Sequence, residues 1–216
     1  MAAPKLVAEG LGTAFLLAIV VGSGIMGERL AGGNDAIALL ANSIATGTGL
    51  VVLIMTFGPI SGAHFNPVVT LVALLRKELS LRLALGYVVT QIVGAYAGVA
   101  SAHLMFDLPA YTLSTHARHG IGQWWSEFIA TFGLLLVILS CVRHRPTAVP
   151  FAVAAYITRS EEHTSELQSP TTIASKKAVP RPSAASLRTA IKIPYCRSGR
   201  VFASARVYLG TLGASW

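Results

Sequence analysis

Charged residues are scarce in this sequence: Asp, Glu, Lys and Arg make up 12% of its 216 residues, against about 25% in a typical soluble domain. The mean hydropathy is +0.62, so an ordinary soluble domain is excluded. The net charge of +8 could suggest a nucleic-acid partner. However, residues 1–158 carry eight Lys/Arg and six Asp/Glu, whereas residues 159–216 carry nine and three. The basicity therefore belongs mostly to the tail, and we expect no nucleic-acid partner.

Metal-binding and catalytic patterns are also lacking. The two cysteines, Cys141 and Cys196, form no disulfide or metal pattern, and Cys141 lies in an apolar run typical of an inert core thiol. His116 and His119 lie in a polar connection without a third ligand nearby, which favours a solvated loop over a metal site. The sequence has no paired carboxylates at a site, no nucleophile with a base and no phosphate-binding loop. We therefore predict neither an enzyme nor a cofactor.

Long apolar runs, in contrast, are abundant. A helix that crosses the hydrocarbon core of a bilayer needs about 20 apolar residues. Four runs reach that length, at residues 6–26, 36–57, 83–106 and 124–142. A fifth begins near Ala148 and ends at Thr158, about half the required length. No cleavable signal peptide is evident, so the first run is interpreted as a helix of the mature chain.

Basic residues predict the orientation, because cytoplasmic loops of membrane proteins are enriched in Lys and Arg. With a cytoplasmic N-terminus, only Arg29 and Arg118 lie outside, and the inner side carries Lys5, Arg76, Lys77, Arg82, Arg143 and Arg145. This distribution requires that residues 60–75 do not cross the membrane. We predict that this segment enters the membrane and returns on the same side.

The segment itself, "ISGAHFNPVVTLVALL", combines a polar, helix-breaking start with an apolar end. Non-helical backbone at membrane depth is tolerated only where protein or water satisfies its polar groups, so "SGAHF" is predicted to be an extended stretch along a wet cavity. Asn66 is a favoured N-cap and Pro67 a favoured first helical residue. They predict a half-helix that ends near Arg76. An ordinary extramembrane turn before a short interfacial helix is the alternative.

Two glutamates lie in apolar runs with similar sequences. Residues 8–21 ("AEGLGTAFLLAIVV") and 126–139 ("SEFIATFGLLLVIL") share a Glu, a Thr and two Leu, a weak repeat typical of inverted-repeat membrane proteins. An intramembrane carboxylate usually faces the bundle interior with a partner. We expect Glu9 and Glu127 to accept hydrogen bonds from the backbone of a re-entrant segment, with Gln91 as a weaker case. A proton relay is the alternative.

Two further features concern packing and bracing. Gly94 and Gly98 have the spacing that lets helices approach closely. His64 is expected to brace the re-entrant segment by hydrogen bonds, with a role as a proton donor or gate as the alternative.

These residues together resemble the aquaporin, or major intrinsic protein, family. The resemblance covers about residues 6–158 and rests on "AEGLGT", "SGAHFNPVVTL", "GYVVTQIVGAYAG" and "SEFIATF", in that order. It implies an all-α membrane protein, an aquaporin-like bundle of inverted repeats with six helices and two re-entrant half-helices. About four and a half helices and one half-helix are expected here. The family conducts water, glycerol or other small neutral solutes passively, and the intact protein is expected to be a homotetramer in the lipid bilayer.

The resemblance also implies roles for single residues. Asn66 becomes the pore asparagine at the positive end of a half-helix, and Glu9 and Glu127 become the glutamates that hold the loops. Thr46 takes the place of a second-helix member of the selectivity ring, often aromatic in the family, which favours solutes larger than water. Val68 replaces the usual alanine after Asn-Pro and adds bulk where two half-helices should meet. The remaining pore or solute-binding residues are expected to be Gly62, Ala63, His64, Phe65 and Pro67, with backbone carbonyls of residues 61–65 accepting hydrogen bonds.

The sequence after Thr158 departs from the family. The repeat predicts a second re-entrant motif near residue 184, yet no Asn-Pro follows Pro67, so the selectivity arginine has no counterpart. "RSEEHTSELQSP" resembles a translated DNA-sequencing adapter. Residues 1–158 are therefore interpreted as an incomplete channel domain and residues 159–216 as a non-native or disordered basic tail. A tail that binds anionic lipid is the alternative.

We interpret the intact protein as a passive channel for water, glycerol or neutral metalloid acids in the inner (plasma) membrane, with a cytoplasmic N-terminus. A secondary transporter with a broken-helix substrate site is the alternative. The 216-residue chain as written is expected not to conduct, because half of its pore wall is absent.

Overall fold

The structure, a computed structural model, describes residues 2–110 and 121–166, and these residues contain helices but no strand. The helices are α1 (Ala3–Leu30), α2 (Asp35–Ser61), α3 (Pro67–Leu75), α4 (Leu81–Met105), α5 (Ile121–His144) and α6 (Val149–Glu166), with a 3₁₀ turn at Pro146–Ala148. The predicted all-α fold class is confirmed. Arg118, His116, His119, Cys196 and the segment near residue 184 lie outside the described residues.

Four helices are long and apolar enough to cross a membrane: α1, α2, α4 and the part of α5 at Trp124–His144. They correspond to the four predicted runs and extend beyond most of them by one to four residues at each end. Helix α3 has nine residues and is about 14 Å long at 1.5 Å per residue. It is therefore too short to span a bilayer.

Helices α1 and α4 form the tightest pair of the described bundle. A Cβ on Gly94 would collide with the backbone oxygen of Gly10, and a Cβ on Gly98 with that of Ala14. Because these two residues lack side chains, the helix backbones can approach each other closely, as they do at small residues in membrane-helix interfaces. The packing role predicted from their spacing is confirmed.

The same contacts give the helix directions. Leu6 lies beside Gly86 near the starts of α1 and α4, and Phe106 lies beside Gly22 near their ends. The two helices are therefore parallel, and the turn that precedes α4 lies at the end of the bundle where α1 begins. Gly27 lies against Ala38 and Gly49 against Ile19, so α2 runs antiparallel to α1 and ends where α1 begins. The segment between α2 and α4, which includes Arg76 and Lys77, therefore enters and leaves at one end. The predicted re-entrant path is confirmed.

Helices α5 and α6 form a second pair that joins the first through an apolar cluster. Leu134 of α5 and Val153 and Ile157 of α6 pack with Leu16 of α1 and Leu50 of α2. Helix α6 continues to Glu166, beyond the apolar run that ends at Thr158. Polar residues such as Arg and Glu have good helix propensity, and the Ser160 hydroxyl donates to the Ile157 carbonyl. The helix therefore continues although the apolar run has ended.

Candidate functional site

The chain between α2 and α3 forms a tight loop in left-handed backbone conformations. Gly62 caps α2 with φ +93°, and Ala63 and Phe65 have φ values of 50° and 47°. The predicted extended stretch is therefore wrong at these positions. A left-handed conformation costs a non-glycine residue about 1–3 kcal/mol and persists only when surrounding contacts hold it. Contacts from three helices hold this loop.

Asn66 and Pro67 start α3 as the sequence predicts. The Asn66 side-chain oxygen accepts a hydrogen bond of 2.8 Å from the Val68 backbone N–H, and Pro67 occupies the first helical position. Asn66 is buried. The N-terminal end of α3, which carries partial positive charge, thus lies inside the bundle.

Glu9 of α1 is the main support of the loop and is fully buried. Its Oε1 accepts from the Ser61 hydroxyl at 2.6 Å and the His64 backbone N–H at 3.0 Å. Its Oε2 accepts from the Phe65 backbone N–H and the Gln91 side-chain amide, both at 2.8 Å. The two backbone bonds are the interaction predicted for Glu9. The carboxylate therefore accepts hydrogen bonds from four donors in and beside the loop, in a setting where an unsatisfied polar group is costly.

Helix α4 adds contacts that the sequence analysis missed. The Tyr87 hydroxyl donates to the Ser61 carbonyl at 2.8 Å, and Gln91 donates to the Thr70 hydroxyl at 3.1 Å as well as to Glu9. Tyr87 and Gln91 are four residues apart and so share one helix face. This spacing is the signal that could have identified Tyr87 beside the predicted Gln91.

His64 braces the loop through its ring as well as its backbone. Its Nδ1 lies 3.2 Å from the Thr70 hydroxyl, and its ring stands edge-on to Tyr87 with centroids 5.4 Å apart. The adjacent Phe65 ring is buried and occupies the space that Gly12 leaves, because a Cβ there would collide with it.

A cavity of about 140 Å³ lies beside this loop. The loop side of its wall comprises Gly62, Ala63, His64, Phe65 and Asn66, and the opposite side is apolar, with Leu134 and Ile138 of α5 among its residues. The ion pair between Arg76 and Glu78, at 2.6 Å, also borders the cavity. A mostly apolar wall with a few polar groups on one side is typical of a small-molecule site.

The structure does not bring every predicted residue to this cavity. Thr46 is buried in α2, outside the cavity lining, and its hydroxyl has no hydrogen-bond partner among the described residues. Val68 is half-buried at the start of α3. Glu127 is half-buried in α5, and none of the hydrogen bonds in the described part of the chain reaches its carboxylate. Pro67 is the first residue of α3 and helps to fix where that helix begins.

Comparison with known proteins agrees with this arrangement. A family model described as "Major intrinsic protein" matches residues 2–158. The chain belongs to the major intrinsic protein family. It is 53% identical over 154 residues to the aquaglyceroporin AqpS of Rhizobium meliloti, covering 71% of this chain and 66% of AqpS. It is 33% identical over 165 residues to human aquaporin-1, covering 68% and 61%.

The solved structure of the aquaglyceroporin from Plasmodium falciparum has the same fold, with a TM-score of 0.62 at 21% identity. The superposition covers 73% of this chain and 71% of the parasite protein. The chain spans between about half and two-thirds of the length of the two curated relatives above and of Arabidopsis aquaporin PIP2-7, where it covers 53%.

Proposed function

We propose that residues 2–158 form one half of the wall of a passive transmembrane channel for water or small uncharged solutes, such as glycerol or neutral metalloid acids. The observation that carries this proposal is the Asn66–Pro67 helix start, buried inside the bundle and bordering a cavity. It places the positive end of a helix beside whatever occupies that cavity.

This arrangement suits a neutral solute better than an ion. The N-terminus of a helix acts as about +0.5 elementary charge, which disfavours cations and protons. The Asn66 NH₂ group would donate to a solute oxygen, and carbonyls of residues 61–65 would accept from solute hydroxyls. In this proposal Gly62, Ala63, His64, Phe65, Pro67 and Val68 shape the inner half of the pore, and Thr46 faces its outer half.

A passive channel is favoured over a coupled transporter by the state of Glu9. In transporters, an intramembrane carboxylate typically belongs to an ion pathway or a proton relay. Both oxygens of Glu9 are instead occupied by donors of the loop and Gln91. Glu9 and Gln91 thus act as structural supports, and we propose that Glu127 holds a second re-entrant segment in the same way.

We further propose an inner-membrane protein with a cytoplasmic N-terminus and a homotetrameric assembly. Lys5, Arg76 and Lys77 lie at one end of the bundle, and Arg29 lies at the opposite end of α1. The positive-inside rule assigns the more basic end to the cytoplasm. Residues 159–216 are proposed to be a non-native basic tail outside the channel domain, although its first residues continue α6 to Glu166.

The experiment that tests the channel proposal is a chimera. Residues 1–158 would be joined to the part of AqpS that follows the region matched here, and proteoliposomes would be subjected to water and glycerol gradients without any ion gradient. We expect stopped-flow light scattering to give permeabilities well above protein-free vesicles. The 216-residue chain itself should stay at the vesicle background, because its described residues supply one half-helix.

A matched pair of variants makes the test specific. Asn66→Ala in the chimera should lower glycerol permeability at least several-fold, whereas Val89→Ala, on the exposed face of α4, should leave it unchanged. A chimera that inserts in the membrane but conducts no better than protein-free vesicles, while AqpS conducts, would contradict the proposal.

A further inference from the structure

An ion pair after α3 is formed by the way in which that helix ends. The Lys77 backbone N–H donates to the Leu74 carbonyl and the Glu78 N–H to the Ala73 carbonyl, both at 2.9 Å, and Lys77 has a φ of 61°. These are the bonds of the Schellman motif, in which a left-handed residue reverses the chain at a helix end. Along a helix, residues two positions apart do not face each other. The reversal brings Glu78 back to Arg76, whose Nε lies 2.6 Å from Glu78 Oε1.

The ion pair does little to hold the fold together. Its two side chains are half exposed, at 50% and 52%, and an exposed ion pair contributes little to stability because water and salt screen it. The left-handed position of the motif is usually glycine, but here it is lysine, so this helix end is not optimised for stability. The position of the pair, rather than its strength, indicates what it does.

The pair lies at the mouth of the cavity beside the re-entrant loop. Arg76 and Glu78 both line this cavity, whereas Lys77 between them does not. The facing wall there is apolar, with Val142 near the end of α5 and Val149 at the start of α6. Because Arg76 and Glu78 are half exposed and also line the cavity, they mark the place where it meets solvent, at the opposite end of α3 from its buried start.

Basic residues outnumber acidic ones at this end of the bundle. Among the described residues that lie there, Glu78 is the one exposed acid, and the exposed basic residues are Lys5, Arg76, Lys77, Arg82, Arg143 and Arg145. Without Glu78, the mouth would carry an unbalanced guanidinium charge. A cleft lined by charge of one sign concentrates ions of the opposite sign, so such a mouth would collect anions.

We propose that Glu78 neutralises Arg76 at the inner mouth of the pore, so that the entrance concentrates neither anions nor cations and leaves the passage of neutral solutes unaffected. The pair is then a specificity-determining element of the channel. This inference rests on the proposed function and adds a charge filter at the end of α3 that is remote from Asn66.

Thiol labelling of the full 216-residue chain measures the charge at this mouth. Cys141→Ser and Cys196→Ser would remove the native thiols, and Val72→Cys would place one on the cavity wall, one helical turn before Arg76. Val142→Cys, exposed on the facing wall, is a second reporter. Rates with an anionic and a cationic methanethiosulfonate would be measured in uncharged micelles at about 10 mM salt, where the Debye length is about 30 Å. Their ratio reports the local potential, because thiol ionisation affects both rates equally.

The single and double variants of the pair should change this ratio in opposite directions. We expect Glu78→Gln to raise the anionic-to-cationic ratio about fivefold and Arg76→Gln to lower it by a similar factor, as a unit charge about 8 Å away does in water. The double variant should restore the ratio of the unchanged pair, because the two charges cancel. Salt at about 1 M should remove the differences, since the Debye length falls to about 3 Å. Equal ratios for the single variants and the unchanged pair would overturn the proposal.

Two controls locate the effect. Lys77→Gln removes the same charge as Arg76→Gln, but beside the mouth rather than on its wall, and should change the ratio less. With Leu104→Cys, the thiol is exposed at the far end of α4, where Glu78→Gln should leave the ratio unchanged. An effect in either control as large as at the mouth would mean that the net charge of the chain sets the ratio, and would overturn the proposal. Background permeability of the AqpS chimera would overturn the channel proposal and leave the labelling result standing.

Discussion

The two helix pairs of this molecule start from similar sequences and end in different environments. Glu9 in α1 is fully buried and accepts four hydrogen bonds, whereas Glu127 in α5 is half-buried and accepts none from the described residues. The helices around them differ in the same sense. In α1, 44% of the most apolar stretch is buried within the chain, against 11% in α5.

This difference indicates that the role of an intramembrane carboxylate depends on which segment of the chain packs against it. Residues 8–21 and 126–139 give each glutamate a comparable local sequence. Within residues 2–110 and 121–166, only Glu9 has a re-entrant loop whose backbone N–H groups point at it. The α1–α4 pair is therefore a completed site, and the α5–α6 pair presents a carboxylate that no described segment uses.

The strongest test of this comparison replaces each glutamate by alanine. Glu9→Ala removes the acceptor of the His64 and Phe65 backbone N–H groups and one acceptor each of Ser61 and Gln91, and each buried donor left unsatisfied costs about 1–3 kcal/mol. We expect a loss of about 4 kcal/mol or more in the free energy of unfolding, as for the most damaging class of single substitutions. Glu127→Ala should change it by about 0.5 kcal/mol or less, as surface substitutions do. Thermal unfolding in micelles, followed by circular dichroism, would measure both, and equal losses would contradict the distinction.

The features that the sequence predicted correctly are those encoded locally. The lengths of the apolar runs correctly predicted the four helices that are long enough to span a bilayer, because the bilayer thickness fixes the length of a span. Asn66 and Pro67 gave the start of α3, because cap preferences act over a few residues. Glu9 was identifiable because a carboxylate in an apolar run needs a partner.

The features that it missed depend on tertiary contacts. The left-handed conformations of Ala63 and Phe65 are held by hydrogen bonds to Ser61 and Glu9, which no local pattern reveals. Thr70 and Tyr87 are unremarkable residues in membrane helices until the loop packs against them.

A second test compares the two helix interfaces with the same substitution. In Gly94→Ala the new methyl group meets the backbone oxygen of Gly10, which cannot move without separating α1 from α4. Overpacking of this kind costs about 1–3 kcal/mol. In Gly133→Ala the methyl group meets the end of the Tyr156 side chain, which can rotate away. We expect Gly94→Ala to lower the melting temperature and Gly133→Ala to leave it nearly unchanged. A larger decrease in melting temperature for Gly133→Ala would contradict this account of the two interfaces.

The smallest expected effect comes from removing one tyrosine hydroxyl from each of the two helix pairs. Tyr87 donates to the Ser61 carbonyl at 2.8 Å in a buried setting, whereas Tyr156 reaches the Ile129 carbonyl at 3.5 Å in an exposed one. Tyr87→Phe should lower the free energy of unfolding by about 1 kcal/mol, the usual net worth of a buried hydrogen bond. Tyr156→Phe should leave it unchanged, because a bond at that length is weak. Since both changes keep the ring, packing is matched, and indistinguishable melting curves for the two variants would mean that α4 does not hold the end of α2 through this bond.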